Sequence, residues 1–98
     1  MEIVRSGTWL YDGTALQPVD IVALDFDFWY EVGKADHQLD PGEAPKPLGK
    51  GGRLYYVRFQ RAGERTTPTW VDGAGHESLD DAVAAAEATA PARIEWQE

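Results

Sequence analysis

The chain has 98 residues, a formal net charge of −8 and no cysteine. A length of this order fits one domain, residues 1–98, whose folding removes roughly 65% of the unfolded chain's surface from water. The missing cysteines exclude disulfides, thiolate nucleophiles and cysteine-based zinc or iron–sulfur centres. The acidic balance speaks against a nucleic-acid groove, which needs clustered Lys and Arg.

Hydrophobic residues make up 43% of the chain, an ordinary share for a globular protein. The segment Met1-Glu2-Ile3-Val4-Arg5 has neither the basic region nor the apolar run of a signal peptide. Asp interrupts the longest apolar stretches, which predicts no membrane span. With no disulfide staples, the expected location is the cytoplasm. The negative charge suits a basic protein partner, and equally suits plain solubility.

In chain order, Ile3 to Tyr11 reads as extended, with Gly7 as a bulge or kink. Asp12-Gly13 is a strong turn signal. Pro18 precedes the longest expected strand, Val19 to Val32. Alternation along it assigns Val22, Leu24, Phe26, Phe28, Tyr30 and Val32 to a core face. Ile21, Ala23, Asp25, Asp27, Trp29 and Glu31 fall on the opposite, outward face. Residues 33–51 carry Gly, Pro and charge without periodicity, which predicts a long mobile loop.

Arg53 to Arg61 is the next strand, with Tyr55, Val57 and Phe59 directed inward. Ala62-Gly63-Glu64 suggests a hairpin, and Thr66 to Asp72 its return strand, with Pro68 suited to an edge. Ser78 caps the helix that follows. Asp80 and Asp81 favour its first turn, and Pro91 ends it. Leu79, Ala82, Val83, Ala86 and Ala90 form one stripe at helical spacing. Ala92, Ile94 and Trp96 then alternate as a last short strand, with Trp96 in the core. The expected fold is α+β, a single antiparallel sheet in the order β-β-β-β-α-β, with one C-terminal helix packed on one face.

Matching inward faces pairs the long strand antiparallel with Arg53–Arg61. Phe28 opposite Val57 sets Tyr30 against Tyr55, Phe26 against Phe59, and Asp27 against Arg58.

The motifs that carry chemistry are sparse. Asp25 and Asp27 lie two apart, where two carboxylates can share a proton or a metal, or simply face Arg58. His37 sits near Asp36 and Asp40, and His76 near Glu77 and Ser78; neither has the spacing of a catalytic constellation. Gly49-Lys50-Gly51-Gly52 lacks the upstream glycine, the Ser or Thr and the following helix of a phosphate loop. Lys46, Lys50 and Arg53 are left to contact an acidic group. Pro41, Pro45 and Pro47 do not form a P-x-x-P frame.

Four tryptophans are many for this length. Trp29 shares its expected face with acids, and the register brings it beside Tyr56. A single helix covers a single sheet face, so Asp25, Asp27, Trp29, Tyr56 and Arg58 form the expected contact surface. A loop or the N-terminal strand folded over that face is the competing arrangement. Trp70 joins the surface only if the turn before it has three residues. The leading function is a small acidic, non-enzymatic partner-binding protein, inhibitor-like or immunity-like by class only. It needs no cofactor or metal. Its partner is a basic protein or a second copy of the chain. The alternatives are a homo-oligomeric ligand-binding or structural protein, and a small enzyme using Asp25, Asp27 and His37.

Overall fold

A computed structural model describes residues 2–59 and 71–97. The expected hairpin at Ala62-Gly63-Glu64, the first part of its return strand and the orientation of Trp70 lie outside the described residues. The elements are β1 (Glu2–Tyr11), β2 (Ala15–Leu24), α1 (Phe28–Ala35), β3 (Leu54–Phe59), β4 (Asp72–His76), α2 (Leu79–Thr89) and β5 (Ile94–Trp96). The fold is α+β: the strands form one five-stranded sheet in the order β4-β3-β2-β1-β5, every neighbouring pair antiparallel.

Asp12 and Gly13 turn β1 into β2 with φ of 50° and 69°, a left-handed bend that Asp and Gly tolerate best. The irregularity in β1 falls between Ile3 and Arg5, not at the expected Gly7. Gly7 serves close approach instead. A Cβ there would stand 2.9 Å from the Glu95 carbonyl oxygen and from side-chain atoms of Ile94 and Trp96.

The expected Val19–Val32 strand is corrected. Pairing stops at Leu24, and Phe28–Ala35 is a helix. Asp27 causes the switch. Its backbone is still extended, and its carboxylate accepts the Tyr30 N–H at 3.2 Å, which nucleates the first turn. The alternation through Phe26, Phe28 and Tyr30 is present in the sequence but does not describe a strand.

β2 and β3 are antiparallel neighbours as expected, in a different register. Val19 faces Phe59, Asp20 faces Arg58, Ile21 faces Val57 and Val22 faces Tyr56. The parity is therefore reversed for β2: Val19 and Ile21, not Val22 and Leu24, share the face of Val57. Both faces of β2 are apolar and buried, so hydrophobic alternation alone does not fix which face meets which.

One face carries α2. Trp9, Val19, Ile21, Val57 and Ile94 pack there against Ala82 and Ala86, with Leu79, Val83, Ala90 and Trp96 at the margin. The expected helical stripe is the one used. Ser78 Oγ accepts the Asp81 N–H at 3.1 Å, and the helix ends at Thr89, just before Ala90 and Pro91. Ala82 and Ala86 are fully buried, so small side chains let the helix lie close to the sheet. Val83→Asp places a carboxylate at this contact and is expected to cost about 3 kcal/mol, read as a loss of melting temperature. Glu87→Lys is expected to cost well under 1 kcal/mol, losing only an exposed 3.3 Å bond from the Trp96 indole.

The opposite face holds a second cluster of Val22, Leu24, Leu54, Tyr56 and Val71, with Phe28 of α1 packed against it. The expectation of one helix and one covered face is therefore incomplete. α1 and the chain after it cross the second face.

Candidate functional site

The five residues expected to form one outward surface separate into different environments. Tyr56 has no solvent exposure. Phe28 lies over it, the two ring centroids 6.2 Å apart, and the Phe28 N–H donates to the Tyr56 hydroxyl at 2.8 Å. Asp27 anchors the whole crossing segment. One carboxylate oxygen caps α1, the other accepts the Lys46 N–H at 2.8 Å, and the carboxylate charge lies close to the Tyr56 hydroxyl. Because that hydroxyl accepts from Phe28, its own proton is free to point at the Asp27 carboxylate.

Two side chains from the same segment reach β4. The Trp29 indole N–H donates to the Gly73 carbonyl at 2.7 Å, and Lys46 Nζ donates to the Gly75 carbonyl at 2.8 Å. Among the described strands β4 is at the edge of the sheet, and occupied carbonyls discourage further strand pairing there. Gly75 also leaves room for the buried tyrosine, since a Cβ would stand 2.7 Å from Tyr56 Cζ. Segment 27–49 is thus strapped across the second sheet face. Trp29 stays 43% exposed and meets Phe28 edge to face at 4.9 Å.

Arg58 stands apart from this group. Its partner is Asp20, not the expected Asp27, at 2.9 Å from guanidinium to carboxylate, and Ser6 Oγ donates to the other Asp20 oxygen at 2.9 Å. The register shift explains the exchange, because Asp20 is the residue paired with Arg58. Asp25 lies exposed at the bend after β2, beside an open cleft of about 250 Å³ lined by Glu2, Ala23, Leu24, Phe26 and Arg53. The Arg53 guanidinium pairs with Glu2, whose hydrogen bond and charge hold it above its ordinary pKa.

The residues weighed for catalysis do not converge. Asp27 caps the first turn of α1, while His37 follows the last, and eight residues of helix span about 12 Å. His76 ends β4 opposite Tyr55 and lines a separate groove with Val57, Phe59 and Thr89. Among the described residues no group of three or more His, Asp or Glu is placed to hold a metal ion. No described helix is long and apolar enough to cross a membrane. The glycine-rich stretch after Leu48 is a turn: Gly51 and Gly52 have φ of 68° and 71°, and Gly49 abuts the backbone of Glu77.

Burial raises the Tyr56 phenol above its ordinary pKa. The Phe28 N–H opposes this, and the Asp27 carboxylate adds to the rise. Both folded and unfolded chains keep the phenol neutral below the ordinary value of about 10, so it adds no pH dependence there. Above that value the unfolded chain loses the proton first, and stability falls as pH rises toward the folded value. A spectroscopic phenolate titration is expected to find one tyrosine ionising last, together with unfolding. Tyr56→Phe should delete that component.

Sequence reasoning passed over Asp20, placed Phe26 on the core face, where the structure leaves it 40% exposed, and left the Lys46 side chain to an acidic group, whereas its ammonium meets the Gly75 carbonyl. The signal available for α1 was Asp27 itself, an N-cap residue followed by Glu31 in the first turn. Comparison with known proteins gives no match to a family model, a curated protein or a solved structure.

Proposed function

We propose that the chain is a small, non-enzymatic binding protein that contacts a basic protein partner through its acidic lobe, residues 25–49. The observation that carries this reading is the coincidence of charge and exposed apolar surface. The lobe has six acids and two lysines, a net charge of −4 that is half of the chain's −8. It also exposes Phe26, Trp29 and Leu48. Exposed aromatic residues within a field of one sign suit a partner of the opposite sign, with charge guiding encounter and the rings supplying contact. Asp25, Phe26 and Trp29 are the contact residues in this reading. Asp27 and Tyr56 hold the lobe in place, and Arg58 lies outside it.

The test is capture from a host extract with parent and variant as bait. Trp29→Ala is expected to stay folded, losing about 1 kcal/mol with its indole bond to Gly73, and to lose the captured basic protein. Glu31→Lys should weaken capture more at low salt than at high salt. Capture unchanged in both variants would overturn the reading.

A second reading has its own observation. Leu10 and Leu16 are cross-strand partners at the hairpin end and are 44% and 67% exposed. That pair favours self-association of the chain. Sedimentation of the parent against Leu16→Lys decides it, a dimer lost in the variant being the supporting result.

A further inference from the structure

Resting on the acidic-lobe reading, we infer that the partner presents an arginine side chain that stacks on the Trp29 ring. The Trp29 indole proton is given to the Gly73 carbonyl at 2.7 Å, so the side chain has no donor left for a partner. What remains to bind is the aromatic surface of a side chain that is 43% exposed. The same bond, together with the edge-to-face contact with Phe28, fixes the ring direction. Contact therefore requires little further ordering of this side chain. The face of an aromatic ring attracts cations and repels carboxylates.

The local field makes the same selection. Asp36 caps the C-terminal end of α1 and is exposed. It lies seven residues beyond Trp29, which is about two turns and returns to the same stripe of the helix. Asp25 flanks the other end and is also exposed. A guanidinium lies flat on an indole and still directs its N–H groups sideways to carboxylates. An ammonium is a compact, strongly hydrated charge that gains less from the ring. The occupant that suits both the ring and the acids is an arginine of a basic protein segment.

The experiment titrates the full chain with flexible Gly-Ser peptides carrying spaced arginines, and with their lysine twins of equal charge. Binding is followed by the NMR resonance of the Trp29 indole and by calorimetry. The arginine peptide is expected to bind more tightly and to shift the Trp29 ring resonances. Trp29→Leu keeps an apolar side chain and removes the ring. It should weaken the arginine peptide about two- to five-fold, weaken the lysine peptide less, and leave amide resonances outside the lobe in place. Trp29→Phe should recover part of the preference. Equal binding of the two peptides to the parent, or a preference that survives Trp29→Leu, overturns the arginine assignment. In that case charge-dependent binding lost in Glu31→Lys leaves the lobe itself standing. Binding of neither peptide overturns both.

Discussion

Asp27→Ala is expected to lower the melting temperature by roughly 10–20 °C, a loss of about 2–3 kcal/mol. The residue is partly exposed and among the described residues its carboxylate has no salt-bridge partner, so its weight comes from hydrogen bonds. Truncation removes the cap of α1, whose acceptor is worth about 1 kcal/mol. It also frees the Lys46 N–H and leaves the buried Tyr56 hydroxyl without its carboxylate. A buried polar group that loses its partner costs about 1–3 kcal/mol. Asp27→Asn keeps one acceptor oxygen but turns an amide N–H₂ toward a second donor, so it should recover part of the loss. A fall of only a degree or two for Asp27→Ala would mean that the strap does not depend on this side chain.

Gly49→Ala is the other large effect expected. Gly49 has a negative φ of −89°, so its role is not a left-handed turn. It needs the absence of a side chain. An added Cβ would stand 2.1 Å from the Glu77 carbonyl oxygen and 2.6 Å from both Glu77 C and Cα. These are backbone atoms leading into α2, so relief requires moving either the strap or the helix start. Overpacking of this kind costs about 3 kcal/mol. Gly51→Ala is the matched control. Its φ of 68° imposes strain, yet a Cβ there meets nothing within 4 Å, so about 1 kcal/mol is expected. Chemical denaturation of the pair should rank Gly49→Ala well below Gly51→Ala; equal midpoints would contradict the close approach of strap and helix.

Where one local signal decides the structure, the sequence reveals it. Asp12-Gly13 announces its turn, Ser78 and Pro91 bracket α2, and alternation carries Ile94 into the core, with Trp96, expected there too, packed at its margin. The alanine stripe of α2 faces the sheet as its spacing predicts. α1 is harder to read because two patterns coincide. Phe26, Phe28 and Tyr30 alternate as in a strand, while Asp27 caps a helix. Phe28, Val32 and Ala35 do recur at helical spacing, but α1 has only eight residues, none of them fully buried, so this stripe is too short to override the strand alternation. The contacts that hold this segment, from Asp27 to Lys46 and Tyr56 and from Trp29 to Gly73, join residues far apart in sequence.

The register fails for a related reason. Val19 and Ile21 on one side of β2, and Val22 and Leu24 on the other, are all buried. A strand covered on both faces carries no polar face to mark its parity. That shift gives Arg58 to Asp20 and brings Tyr56 under α1. Of the expected contact surface, Trp29 and Asp25 keep exposed positions, while Tyr56 becomes the floor on which the lobe rests.

To bind as proposed, the acidic lobe must be a prefolded surface rather than a loose loop. Amide hydrogen exchange at Lys46 tests this most directly, since its N–H has the Asp27 carboxylate as partner at 2.8 Å in a segment without regular secondary structure. Slow exchange at Lys46, together with Phe28 and Tyr30, is the predicted result, with protection lost at all three positions in Asp27→Ala. Exchange at Lys46 as fast as in an unfolded chain would contradict it.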